Sequence, residues 1–221
     1  LYDLATREKL VSEPDYEWKP VAWLVHIDIS GNLLGIQGTH HLPHALGRKK
    51  PKPIPKMFLV PRQPVKTSGD RTSFLVDKAE YVFGIDPSGQ RDPERLRGRA
   101  ALFREETRCC AQETADEGAR AVFALLTAVA AGDLAVGLPE ECKPNDLFAF
   151  VLRSDGDRLV SSRPRIREYW KRVRQLERET IVGYRCLVTG EPCTPGALNV
   201  QLKRLPGASP ISSTSSRRTH S

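Results

Sequence analysis

No apolar run in the sequence approaches the roughly 20 residues that a helix needs to cross a bilayer. The longest, residues 119–131, is interrupted by Arg120 and suits a buried helix. A membrane-spanning helix is therefore not expected. Cysteine is sparse: there are five, an odd number at irregular spacing, which makes no disulfide framework. A reducing cytoplasm is the expected setting. Cys186 and Cys193 stand too far apart for a zinc knuckle, and no second pair accompanies them. The opening residues show no secretory leader. No P-loop, dinucleotide-binding fingerprint or nucleophile elbow occurs, so no nucleotide cofactor or acyl-transfer chemistry is called for. No cofactor of any kind is expected, and no segment repeats internally.

Negative charge is missing from one stretch. Residues 48–71 carry eight cations (Arg48, Lys49, Lys50, Lys52, Lys56, Arg62, Lys66 and Arg71) against one anion, Asp70. That local excess equals the formal charge of the whole 221-residue chain, +7, so the remainder is neutral. Prolines punctuate the strip. It runs into a loop of small hydrogen-bonding residues, Lys66-Thr67-Ser68-Gly69, followed by Arg71-Thr72-Ser73. A concentrated positive field suits a polyanion. Glycine lets a backbone approach closely and hydroxyls both donate and accept, so such a loop has the chemistry to read base edges while lysines hold phosphates. The plainer alternative is a solvated loop ending in an ordinary turn.

The periodicity predicts an α+β protein. An N-terminal β-rich region is expected over 1–92 and an α+β region over 93–205. A Ser-rich tail, 206–221, is too poor in hydrophobes to fold. Residues 1–11 read as the end of a helix. A hairpin is expected from Val21 to Ile36, turning at Ser30-Gly31-Asn32. A strand over 56–60 and an apolar element over 74–84 follow. Helices are expected at about 93–112, 115–132 and 164–179. The second has Thr114 and Glu117 at capping-box spacing and Gly132 at its end. The third opens on Pro164. A second hairpin is expected over 147–161, with Asp155-Gly156 as its turn.

Several short motifs stand in a fixed order. Ile27-Asp28-Ile29-Ser30-Gly31-Asn32 forms the first hairpin, and Leu59-Val60-Pro61 ends a strand. Thr67-Ser68-Gly69 leads to Phe74-Leu75-Val76-Asp77 and Tyr81-Val82-Phe83-Gly84. Far downstream comes Cys186-Leu187-Val188-Thr189-Gly190-Glu191. In this order they resemble the N-terminal portion of the large subunit of the type I-C CRISPR effector complex, Cascade, a Csd-type family. The family usually has Asn where this chain has Ser73 and Lys78. Its helical C-terminal region is absent here, so the resemblance implies a truncated member. It implies a prokaryotic antiviral protein, cytoplasmic and without a membrane partner. That protein is a non-enzymatic module that binds double-stranded DNA and recognises the protospacer-adjacent motif. The implied partners are the target duplex, crRNA, the other Cascade subunits and a recruited helicase-nuclease that performs cleavage. Guide RNA reads the rest of the target by base pairing.

The candidate DNA-binding set is thus Arg48, Lys49, Lys50, Lys52, Lys56, Arg62, Lys66, Thr67, Ser68, Gly69, Arg71, Thr72 and Ser73. A candidate backbone-tracking stripe is Arg167, Lys171, Arg174 and Arg178, with a solvated helix face as the alternative. Phe74 and Leu75 have the shape of a wedge between base pairs but suit a core better. His40, His41 and His44 are the one grouping for a competing reading, a metal-dependent nuclease or phosphoesterase; they lack a further protein ligand at sensible spacing. A nonspecific RNA-binding scaffold is the third alternative.

Overall fold

The computed structural model describes residues 15–42, 52–62 and 70–180. The described residues up to 175 belong to one compact unit. Of residues 176–221, the described part is the end of the last helix; the Ser-rich tail and the helix expected over 1–11 lie outside the described residues.

Two kinds of strand follow from two burial patterns. Trp23–Ile27 (β2) is buried at every position but His26, whereas Tyr16–Pro20 (β1) alternates. The first suits a strand covered on both faces, the second a strand with one wet face. Accordingly β1 pairs with Met57–Pro61 (β4) as a two-stranded antiparallel ribbon, Tyr16 opposite Pro61 and Pro20 opposite Met57. β2 lies inside a four-stranded sheet. Leu33–Gly38 (β3), Val76–Lys78 (β5) and Leu147–Leu152 (β6) complete it in the order β3-β2-β6-β5. β2 and β6 run parallel, from Trp23↔Phe148 to Ile27↔Leu152, and the other pairs are antiparallel.

The helices are Ala79–Val82 (α1), Pro93–Thr114 (α2), Glu117–Ala131 (α3) and Pro164–Thr180 (α4). Side chains of β6 alternate between two cores, as a strand period of two requires. Phe148, Phe150 and Leu152 face the helices; the Phe150 ring lies 6.3 Å from Phe103 of α2. Ala149 and Val151 face the other way and pack with Val21, Leu24, Val60 and Val76. The α+β class expected from the sequence is what the chain adopts, and the hairpin predicted from Val21 to Ile36 is β2–β3. Its turn is held by Asp28, whose carboxylate accepts from Ser30 N at 2.9 Å and Asn32 N at 2.8 Å.

Two local expectations are corrected, and two are refined. The helix predicted to begin near Thr114 begins at Glu117, and Thr114 is the last residue of α2. Asp116 is the cap: its Oδ1 accepts from Gly118 N at 2.8 Å and Ala119 N at 3.3 Å. A carboxylate is the stronger acceptor for these orphan donors. The hairpin expected over 147–161 contracts to β6, two 3-10 turns and a single Val151↔Leu159 bridge. The reason is topological: β2 and β5 already occupy both edges of β6, leaving a third partner room only at its end. The regions expected on either side of residue 92 share one sheet, because β6 inserts between β2 and β5. The apolar element over 74–84 is a turn, the three-residue β5 and the short α1.

Candidate nucleic-acid interface

The basic strip is described in two pieces, 52–62 and 70–71, on either side of the segment containing Lys66, Thr67, Ser68 and Gly69. Those four residues, with Arg48, Lys49 and Lys50, lie outside the described residues. The main chain of the first piece is fastened to the sheet. Ile54 and His41 exchange two backbone bonds of 3.0 Å. Lys56 O accepts from Val21 N at 3.1 Å, and Lys56 N donates to Thr39 Oγ1 at 3.1 Å. Lys52, Lys56 and Arg62 are exposed cations on a main chain held to the sheet, a geometry that leaves mainly side-chain entropy to lose on meeting an anion.

Both flanks of the loop are anchored. At the near end, Arg62 N donates to Asp15 O at 2.8 Å. The same carbonyl accepts Trp170 Nε1 of α4 at 3.1 Å. At the far end, Asp70 receives Arg99 Nε at 2.8 Å and Arg95 Nε at 3.3 Å, both from α2. Arg99 also reaches the buried Glu80 at 2.6 Å and stands over the Tyr81 ring at 5.0 Å; Arg91 completes the set, 2.7 Å from Glu80. Hydrogen bonds from Arg95 and then Arg99 hold the Asp70 carboxyl below its ordinary range. The strip's one anion is thus committed to α2 and leaves the neighbouring cations unneutralised by it.

The residues after Asp70 divide. Arg71 is exposed. Thr72 is half-buried, and its hydroxyl is buried without a hydrogen-bond partner among the described residues. Ser73 is buried, and its N–H donates to Asp77 Oδ2 at 2.7 Å. Ser73 belongs to the turn that Asp77 clamps, and little of its surface is left for a base to meet. Phe74 and Leu75 are core. Phe74 stacks on Trp170, ring centroids 4.7 Å apart and planes within 4°, so it is no wedge. Leu75 takes a left-handed φ of 55°, a conformation costly for a branched side chain and sustained here by complete burial.

The stripe on α4 is only partly brought together. Arg167 and Lys171 line one surface groove. Arg174 turns toward the Trp170 ring, 5.8 Å from its centroid, and its Nε is buried. The Arg178 side chain lies outside the described residues. Asp155 is committed to Arg163, which also binds Asp116 at 2.8 Å, so Asp155 is structural.

His40 stands edge-on to Trp23 at 5.7 Å. His41 is held through its main chain to Ile54, and His44 lies outside the described residues. Among the described residues no three metal-ligating side chains converge. Burial pushes the Cys110 thiol up to about 12 and that of Cys142 up to about 11, so neither is a thiolate at neutral pH. Cys186 and Cys193 lie outside the described residues, and no described helix is long and apolar enough to cross a membrane.

The anchors at Asp15, Arg95 and Arg99 escaped sequence reasoning, because each pairing joins segments distant in the chain. The model of a family described as "CRISPR-associated protein (Cas_Csd1)" matches residues 1–215. No curated protein matches the chain significantly.

Proposed function

The chain belongs to the Csd1 family of CRISPR-associated proteins, and from that premise we propose that it is the duplex-reading part of a type I-C Cascade large subunit. It binds double-stranded DNA and recognises the protospacer-adjacent motif without catalysing a reaction. Cleavage falls to a recruited helicase-nuclease, and the crRNA and other Cascade subunits complete the assembly. One observation carries this function: the loop between Arg62 and Asp70 has both flanks pinned to the folded body, one through Asp15 and one through α2. A segment that discriminates bases needs such flanks, because a loose reader loses its binding energy to ordering. The exposed Lys52, Lys56 and Arg62 supply sequence-independent attraction beside it.

Binding by a panel of duplexes differing only in the motif tests this. Lys52→Ala weakens every duplex alike and flattens the log–log salt slope by about 0.9. Ser68→Ala keeps the slope and erodes discrimination, by about 1–3 kcal/mol where one base contact is lost. Identical profiles for the two variants remove the loop as reader. Equal affinity of the parent for motif-bearing and scrambled duplexes favours the nonspecific scaffold instead.

A further inference from the structure

We infer that the groove at the start of α4 is a second anion site, built from Arg158, Ser162, Arg167 and Lys171, that grips one backbone phosphate of bound duplex. Its walls come from two segments distant from the basic strip: the turn after β6 and the first two turns of α4. The cavity is about 440 Å³ and open to solvent, and Pro164 and Glu168 complete its lining. Three cations face one anion there, which leaves a net positive mouth. Among neighbouring basic residues, Arg163 is consumed by Asp116 and Asp155. Arg158 and Lys171 are exposed, and Arg158 Nη2 donates to the carbonyl of Ser162, another lining residue, at 3.1 Å.

Tyr16 fixes the remaining wall. Its ring carries the Arg167 guanidinium at 4.8 Å, and its hydroxyl donates to Ser161 O at 3.4 Å. A stacked guanidinium keeps its hydrogen-bonding edge while losing rotational freedom, the arrangement that favours phosphate over water. The main chain of Asp15 and Tyr16 links the groove to the strip. Tyr16 follows Asp15, whose carbonyl holds both Arg62 N and Trp170 Nε1. The last described residue before the loop and the groove-bearing helix thus share one hydrogen-bond acceptor. A duplex lying along Lys56 and Arg62 therefore continues toward Arg167.

The assignment of duplex DNA rests on the proposed function, and the experiment separates the two. Duplex affinity of the full chain is measured over a salt series, with and without the motif, for the parent, for Arg158→Ala/Lys171→Ala and for the charge-keeping Arg158→Lys/Lys171→Arg. Loss of one phosphate contact lowers the slope by about 0.9, so raising salt from about 50 to about 200 mM weakens the parent roughly 3.5-fold more than the alanine variant. Motif preference stays as in the parent, and the charge-keeping variant keeps the parental slope. An alanine variant with unchanged slope and affinity overturns the groove, whatever the motif preference. A parent without motif preference, combined with a reduced slope in the alanine variant, removes the reader and leaves the groove standing. A parent that binds no duplex removes both. If the double variant melts early, Lys171→Gln alone carries the same comparison.

Discussion

Asp86 organises more backbone than any other single carboxylate near the basic strip's anchor. It accepts from Ser88 N, Gln90 N and Arg91 N, each at 3.0 Å, and from the Ser88 hydroxyl at 2.7 Å. Those bonds shape the turn that delivers Arg91 to Glu80. They also hold the Asp86 carboxyl down to about 2, with the Ser88 hydroxyl as the largest cause. The folded value lies below the ordinary aspartate value of about 3.9. The stabilisation is therefore fully present above about pH 4 and is lost as pH falls through the folded value. Asp86→Asn is expected to be less stable than the parent at about pH 6. The gap in urea midpoint narrows steadily toward about pH 3, because acid makes the parent resemble the variant. A gap independent of pH shows that packing, not charge, is what Asp86 supplies.

At the scale of elements, the turn of β2–β3 and helix α3 are fitted to each other. A Cβ built on Gly31 falls 2.7 Å from Ala121 O and 2.7 Å from the Ala124 Cβ, and Gly31 has a φ of +87°. Gly89, with φ +65°, has open space around it. Gly31→Ala combines the left-handed cost of about 1–2 kcal/mol with overpacking of about 1–3 kcal/mol. Gly89→Ala bears the first alone. Chemical denaturation is expected to show the larger loss at Gly31; equal losses dismiss the contact with α3. The turn itself was legible, since Ser30-Gly31-Asn32 between apolar runs has a local cause. So were the starts of α2 and α4, at Pro93 and Pro164, where proline fixes the geometry without any tertiary partner. The second hairpin was not legible. An Asp-Gly turn after LFAFVL looks the same whether the strand has a free edge or, as here, two neighbours already. The cap of α3 failed for a similar reason: Thr114 and Asp116 both suit the role, and Arg163, distant in sequence, binds Asp116 in place.

For the molecule as a whole, the basic strip divides into what charge alone reveals and what only the fold reveals. Lys52, Lys56 and Arg62 were legible because charge clustering survives without coordinates. The loss of Ser73 to the turn was not, because it depends on Asp77 closing on its N–H. The anchoring of Asp70 was hidden for the same reason, and it yields a consequence opposite in sign to the removal of a lysine. Asp70→Asn breaks the charge-assisted bonds from Arg95 and Arg99 and raises the net charge of the chain by one. Released from Asp70, Arg95 is an exposed cation beside the strip, while Arg99 stays with Glu80. On the proposed function, attraction to any duplex is expected to rise, with the salt slope steepening rather than flattening. Discrimination among motifs is expected to fall at the same time, because one flank of the segment is no longer held. Lys52→Ala moves the slope down and leaves discrimination alone. If Asp70→Asn instead lowers affinity with discrimination intact, the α2 anchor supports folding only, and the loop takes its order from the Asp15 end.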